Sequence, residues 1–113
     1  VRESNVRLST QYLERAKTTF TYENLYENLG YNYEKMRDYK KAENNLLYAH
    51  YMVPGLLSPK ENLMNFYTRL QDNNKALYWA NNIITEPIKV NNKRSDRIRK
   101  NAMQIILQDR AGH

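Results

Sequence analysis

Glu27-Asn28-Leu29 and Glu61-Asn62-Leu63 are one tripeptide written twice, 34 residues apart, and the residues after each copy repeat as well. Tyr33 recurs as Tyr67, Asp38 as Asp72, and Lys41-Ala42 as Lys75-Ala76. Seven of the sixteen positions 27–42 are identical to 61–76, where chance would give about one. A fixed period of this length marks an array of small structural units that stack on one another.

Working outward, every stretch around this repeat carries helical periodicity. Leu8, Tyr12, Leu13, Ala16 and Phe20 trace one apolar stripe over about 5–19. A second helix is expected over about 22–36, through Leu25, Tyr26, Leu29, Tyr33 and Met36. A third covers about 39–53, through Tyr39, Ala42, Leu46, Ala49 and Val53. The fourth starts at Ser58-Pro59-Lys60-Glu61, where Ser58 and Glu61 are expected to form a capping box with proline at the first helical position. Its stripe is Leu63, Phe66, Tyr67 and Leu70. The fifth covers about 73–85, with Ala76, Leu77, Ala80, Ile83 and Ile84. The sixth covers about 92–109, with Ile98, Ala102, Ile105 and Ile106. Pro54-Gly55 and Glu86-Pro87 end the third and fifth helices, because proline cannot continue a helix and disfavours helical geometry in the residue before it. Asp38 and Asp72-Asn73-Asn74 supply the short polar side chains that favour turns and caps.

Composition agrees with an all-α domain. The chain has 113 residues, enough for one modest core. Three Gly and three Pro are too few for a loop-rich or many-stranded fold. With no cysteine, disulfides, thiolate catalysis and Cys-ligated metals are excluded. Mean hydropathy is −0.91, and no apolar run is long enough to span a membrane. No charged-then-apolar leader is present, and a start at Val1 reads as a processed or excised piece of a longer protein. The net charge of +6 suits an ordinary soluble domain, and also nucleic acid or an anionic membrane surface. The 15 Asn and 10 Tyr fit AT-rich coding; most of the tyrosines fall at core spacings.

Residues 23–56 resemble a tetratricopeptide repeat. The signature positions are Tyr26, Leu29-Gly30 and Tyr33 on one helix, Ala42, Leu46 and Ala49 on the next, and the closing Pro54, with Asp38-Tyr39 at the turn. A second unit over 57–90 departs from the pattern at Lys60 and Met64 but keeps Leu63, Tyr67, Ala76 and Ala80. The resemblance implies antiparallel helix pairs stacked as a right-handed solenoid. Residues 1–22 would be the second helix of a preceding unit, and 91–113 a basic capping helix and tail. Gly30, Ala42 and Ala49 would sit at a close helix crossing. Residues 29–107 are also similar to the tetratricopeptide tail of some bacterial O-antigen ligase or polymerase membrane proteins. Tyr51-Met52-Val53-Pro54 and Ile88-Lys89-Val90 carry that likeness, which departs at Gly55, Leu56 and Asn91-Asn92-Lys93-Arg94. It implies a soluble tail tethered to the bacterial inner membrane through its parent.

The search for chemistry finds little. There is no Gly-x-Ser-x-Gly, no glycine-rich phosphate loop and no His/Glu cluster at metal-ligand spacing. His50 and the terminal His113 lack a recognisable catalytic partner. Carboxylate pairs such as Glu23/Glu27 and Glu27/Glu34 read as surface charge. No enzyme, cofactor or metal is expected, which leaves surfaces. By the repeat resemblance, the first helix of each unit lines a peptide groove: Asn24, Glu27, Tyr31, Glu34 and Lys35, then Glu61, Asn65, Thr68 and Arg69. Glu27 and Glu61 put negative charge where carboxylate-gripping members of the family have Lys or Asn. The second surface is basic. Lys93, Arg94, Arg97, Arg99 and Lys100 are five cations in eight residues of an amphipathic helix, suited to a solenoid cap or to anionic lipid, and less to RNA. Finally, part of the stripe at Leu8, Tyr12 and Phe20 is expected to pack on the second helix. The remainder is expected to stay bare and support weak self-association.

Overall fold

The computed structural model describes residues 2–16, 23–87 and 92–112. Six helices account for most of them: α1 (Arg2–Ala16), α2 (Glu23–Lys35), α3 (Tyr39–Met52), α4 (Leu57–Arg69), α5 (Asn73–Thr85) and α6 (Lys93–Ala111). No strand occurs among the described residues. The helices group into two compact units, Val1–Pro54 and Gly55–His113. Each contains one tight helix hairpin and one further helix.

In the first unit, α2 and α3 form the hairpin. Tyr33 meets Lys41, Gly30 meets Leu46, and Tyr26 meets Tyr48, so numbers fall on α2 as they rise on α3, and the helices run antiparallel. The turn between them is a Schellman motif. Arg37 N–H donates to Glu34 O at 2.9 Å, Asp38 N–H donates to Tyr33 O at 2.9 Å, and Arg37 takes φ 63°. Asp38 then caps α3 by accepting from Lys41 N–H at 3.3 Å. The core is Leu25, Leu29, Tyr33, Ala42, Leu46 and Ala49. A Cβ added at Gly30 would lie 2.7 Å from Leu46 Cγ and Cδ2 and 3.2 Å from the Ala42 carbonyl oxygen. The glycine is therefore what lets Leu46 enter the crossing.

The second unit repeats this hairpin with α4 and α5. Gln71 N–H donates to Thr68 O at 3.1 Å, Asp72 N–H donates to Tyr67 O at 2.9 Å, and Gln71 takes φ 61°. Asp72 caps α5 through Lys75 N–H at 3.2 Å. Lys75 Nζ lies 5.3 Å from the Tyr67 ring centroid, as Lys41 Nζ lies 5.4 Å from that of Tyr33. The 34-residue period of the sequence is thus a period of backbone hydrogen bonds, caps and ring contacts. α6 packs on α5 and α4, burying Ile98, Ala102 and Ile106.

Two expectations need correction. α4 begins at Leu57 with Leu56 as its N-cap and no side-chain cap, so Ser58 and Glu61 form no capping box. Ser58 Oγ instead accepts from Arg94 Nη2 at 3.1 Å, and the Glu61 carboxylate is taken by Arg97. A capping box does stand at α6, where Asn92 and Ser95 bond each other's backbone N–H. α1 starts at Arg2 rather than near residue 5. Leu8 and Tyr12, at 65% and 74% exposed, are in the bare part of its stripe, and Leu13 is half-buried. Polar groups also join α1 to α2, with Asn32 Nδ2 donating to Ser9 Oγ at 3.1 Å and the Tyr33 hydroxyl donating to Glu14. Phe20 and Ile88-Lys89-Val90 lie outside the described residues.

Candidate functional site

α2 presents one polar row. Asn24, Glu27, Tyr31, Glu34 and Lys35 recur at helical spacing on the side of α2 turned from α3. Asn24, Tyr31 and Lys35 are exposed, and Glu27 and Glu34 are half-buried. Tyr31 is 55% exposed, and the Lys35 ammonium lies 4.8 Å from its ring centroid. That contact holds an aromatic face and a cation together at the surface. The row therefore offers a flat apolar ring, a positive group and an amide within about three turns, with the half-buried Glu27 and Glu34 between them.

The matching row on α4 has a different fate. Glu61 is buried, and Arg97 grips its carboxylate bidentately, Nη1 to Oε2 at 2.8 Å and Nη2 to Oε1 at 3.1 Å. Asn101 Nδ2 donates to Asn65 Oδ1 at 3.3 Å. Thr68 is exposed, but its hydroxyl donates back to Met64 O at 2.8 Å. Arg69 is exposed. Of the α4 residues expected in a peptide groove, Glu61 and Asn65 are thus engaged by α6. The sequence signal was present: Glu61 and Arg97 are 36 residues apart, as are Ser58 and Arg94, and Asn65 and Asn101.

The basic segment is largely put to structural use. Arg94 bonds Ser58, and Arg97 bonds Glu61. The Glu61 hydrogen bond and charge raise the pKa of the Arg97 guanidinium further above its ordinary value. Arg99 reaches the end of α5, donating to Ile83 O at 3.3 Å, Ile84 O at 3.4 Å and Glu86 O at 2.8 Å. It supplies donors to the carbonyls at the helix end, of which Ile83 O also accepts from Glu86 N–H at 3.3 Å. Lys93 and Lys100 are exposed. Sequence reasoning marked all five cations and missed that three of them hold the helix in place.

A second ion pair also has one buried member. Lys60, at the repeat position of Tyr26, is buried and its ammonium donates to Glu86. Tyr33 is pushed up to about 12, first by burial and then by its hydrogen bond to Glu14. Where the ends of α4, α5 and α6 meet, Thr68, Asn73, Leu77, Ile105, Gln108 and Asp109 line an open pocket of mixed polarity. Among the described residues, no group of three or more His, Cys, Asp or Glu side chains is placed to hold a metal ion, and no helix is long and apolar enough to cross a membrane. In comparisons with known proteins, the chain matches no family model, and no curated protein matches it.

Proposed function

We propose that this chain is a non-enzymatic protein-interaction module of tetratricopeptide type, which holds a partner segment against the exposed row of α2. The observation that carries the reading is the recurrence, 34 residues apart, of the Schellman turn, the Asp cap, the Lys-over-Tyr contact and the buried alanine after the cap. Such a unit buries its hydrophobic face only by stacking, which leaves the polar face of its first helix to be used. Tyr31 backed by Lys35 is the anchor we assign, since tyrosine is among the side chains that dominate interface energetics.

The test is capture of partners on the immobilised chain, followed by titration of the purified partner. Tyr31→Ala with Lys35→Ala should leave helix content unchanged and weaken binding about tenfold or more. A folded chain that retains no protein beyond what an unrelated domain of equal charge retains would overturn the reading.

A further inference from the structure

Charge is unevenly distributed along the chain. Residues 1–54 carry eight Lys and Arg against seven Asp and Glu, whereas residues 55–113 carry ten against five. Five of the six net positive charges therefore belong to the second unit. Burial widens the difference, because that unit turns its acids inward. Glu61 is buried on Arg97, Glu86 is half-buried on Lys60, and the half-buried Asp72 caps α5. Among the described residues of the unit, seven Lys and Arg side chains are exposed against one carboxylate, that of Asp96. Five of the seven are on α6: Lys93, Arg94, Arg97, Lys100 and Arg110.

α6 sorts what it exposes. Lys93, Asp96, Arg97, Lys100, Asn101 and Gln104 line an open groove along its first three turns. Lys93, Lys100 and Leu107 recur every seven residues and so share one line along the helix. Leu107 is 54% exposed and Met103, one turn before it, 40%. The opposite side, through Ile98, Ala102 and Ile106, stays packed in the unit. Cations are thus followed, along one helix, by two apolar side chains at the surface. That combination suits a boundary with fixed anionic groups on its outside and hydrocarbon behind them. A soluble polyanion would match the cations and leave Met103 and Leu107 without a counterpart. α6 also has no aromatic residue on which nucleobases could stack.

We propose that α6 docks lengthwise on an anionic lipid bilayer, with Lys93 and Lys100 at the headgroup phosphates and Met103 and Leu107 entering the boundary between headgroups and acyl chains. The charge complementarity is that of the whole unit, and α6 presents most of it. Arg97 is already paired with Glu61, so the binding rests on Lys93 and Lys100, with Arg110 adding its charge at the far end. Docking needs no unfolding, since the apolar residues that pack α6 into the unit are not those that meet the lipid. This surface lies on a different helix from the α2 row, and either can fail without the other.

The test is cosedimentation of the full chain with vesicles of phosphatidylcholine, with and without phosphatidylglycerol. Binding is expected only with phosphatidylglycerol. It should weaken as salt rises from about 0.05 to about 0.5 M, which shortens the screening length about threefold. Lys93→Ala with Lys100→Ala should weaken binding at low salt about twentyfold or more, since each cation near the surface contributes about fivefold. Lys40→Ala with Lys41→Ala removes the same charge from exposed positions of the first unit and should bind as wild type does. Met103→Ser with Leu107→Ser should also weaken vesicle binding. Helix content by circular dichroism should be the same in all these chains, because every substituted side chain is exposed. The proposal is overturned if the chain does not bind phosphatidylglycerol vesicles at low salt, or if it binds neutral vesicles equally. It is overturned if the Lys40/Lys41 variant loses as much as the Lys93/Lys100 variant, or if the Met103/Leu107 variant binds as wild type does. It also fails if polyuridylate or polyglutamate, at equal charge concentration, is bound more tightly than the vesicles, since the cations then serve a nucleic acid or an acidic protein.

Discussion

The hairpins α2–α3 and α4–α5 share a turn, a cap and a ring contact, yet they fill their crossings with opposite residues. In the first, Gly30 yields space and Leu46 takes it. Thirty-four residues on, Met64 brings the bulk and Ala80 gives way, and both are fully buried. The repeat conserves the volume of the pair and not the identity of either member. The other departure behaves likewise: Tyr26 rests on Tyr48, while Lys60 buries its stem and ends on Glu86. A degenerate signature in the sequence is therefore a compensated one in the packing.

Exchanging the bulk between crossings is the sharpest way to break this comparison. Gly30→Met should overpack the first crossing at a cost of about 1–3 kcal/mol, less the gain of about 0.8–1.0 kcal/mol from removing a mid-helix glycine. Leu46→Ala should cost about 2–5 kcal/mol through the cavity it leaves. The double variant should be more stable than the sum of the singles by about 0.5–3 kcal/mol. The reverse pair, Met64→Gly with Ala80→Leu, should show the same sign. Denaturant unfolding of the four chains in each cycle measures the coupling. Additive costs would mean that the exchange of volume is a coincidence of alignment.

The next largest effect separates the hairpin that carries a third helix on its polar row from the one that does not. The Glu61 side chain is only 9% exposed, and Arg97 is its bidentate partner. Arg97→Ala leaves that carboxylate with less compensation for its burial, whereas Arg94→Ala removes a bond between exposed groups. Thermal unfolding should fall more for Arg97→Ala than for Arg94→Ala, and less for Glu61→Gln than for Arg97→Ala. Equal losses would mean that α6 is held by Ile98, Ala102 and Ile106 alone.

How far all this could be read from the sequence depends on what each contact obeys. Helix order and the Asp38 and Asp72 caps follow local rules, so spacing located them, whereas the close approach at Gly30 came from the repeat resemblance. Ser58 misled because Ser-Pro before an acidic residue satisfies the rule for a cap; the chain spends Ser58 and Glu61 on α6 instead. The stripe of α1 did not tell which of its residues would stay bare, nor that Glu14 and Ser9 would bond to α2, because an apolar stripe does not say which side of a helix finds a neighbour. The α2 row was legible as a row; the covering of its α4 counterpart left only the constant 36-residue spacing of Ser58/Arg94, Glu61/Arg97 and Asn65/Asn101, which no local rule reads.

Tyr33 gives the comparison a pH dependence. Its hydroxyl proton is held by burial and by Glu14, and its pKa in the folded chain is about 12, against 10.0 for an ordinary tyrosine. The unfolded chain therefore loses this proton first as pH rises. The contribution to stability is fully present below pH 10, and it declines as pH climbs through the folded value near 12. Wild type should lose stability over that interval, and Tyr33→Phe should lose less of it. Denaturant midpoints across the interval decide the matter; parallel profiles would remove Tyr33 as the cause.

The smallest effect lies in the turns, where the two hairpins are most alike. Arg37 and Gln71 both occupy the left-handed region, at φ 63° and 61°, as the residue that closes a Schellman motif. An L side chain there costs about 1–2 kcal/mol relative to a right-handed position. Glycine avoids that cost, but it gives back part of the gain through the larger freedom of the unfolded chain. Arg37→Gly and Gln71→Gly should each stabilise the fold by roughly 0.5–1 kcal/mol. The two gains should be equal within error, and they should add, because the turns lie in separate units and share no hydrogen-bond partner. Equal, additive gains in denaturant unfolding would show that the 34-residue period is energetic as well as geometric. A gain at Gln71 with none at Arg37 would mean that the arginine side chain makes a contribution at the first turn that its backbone conformation conceals.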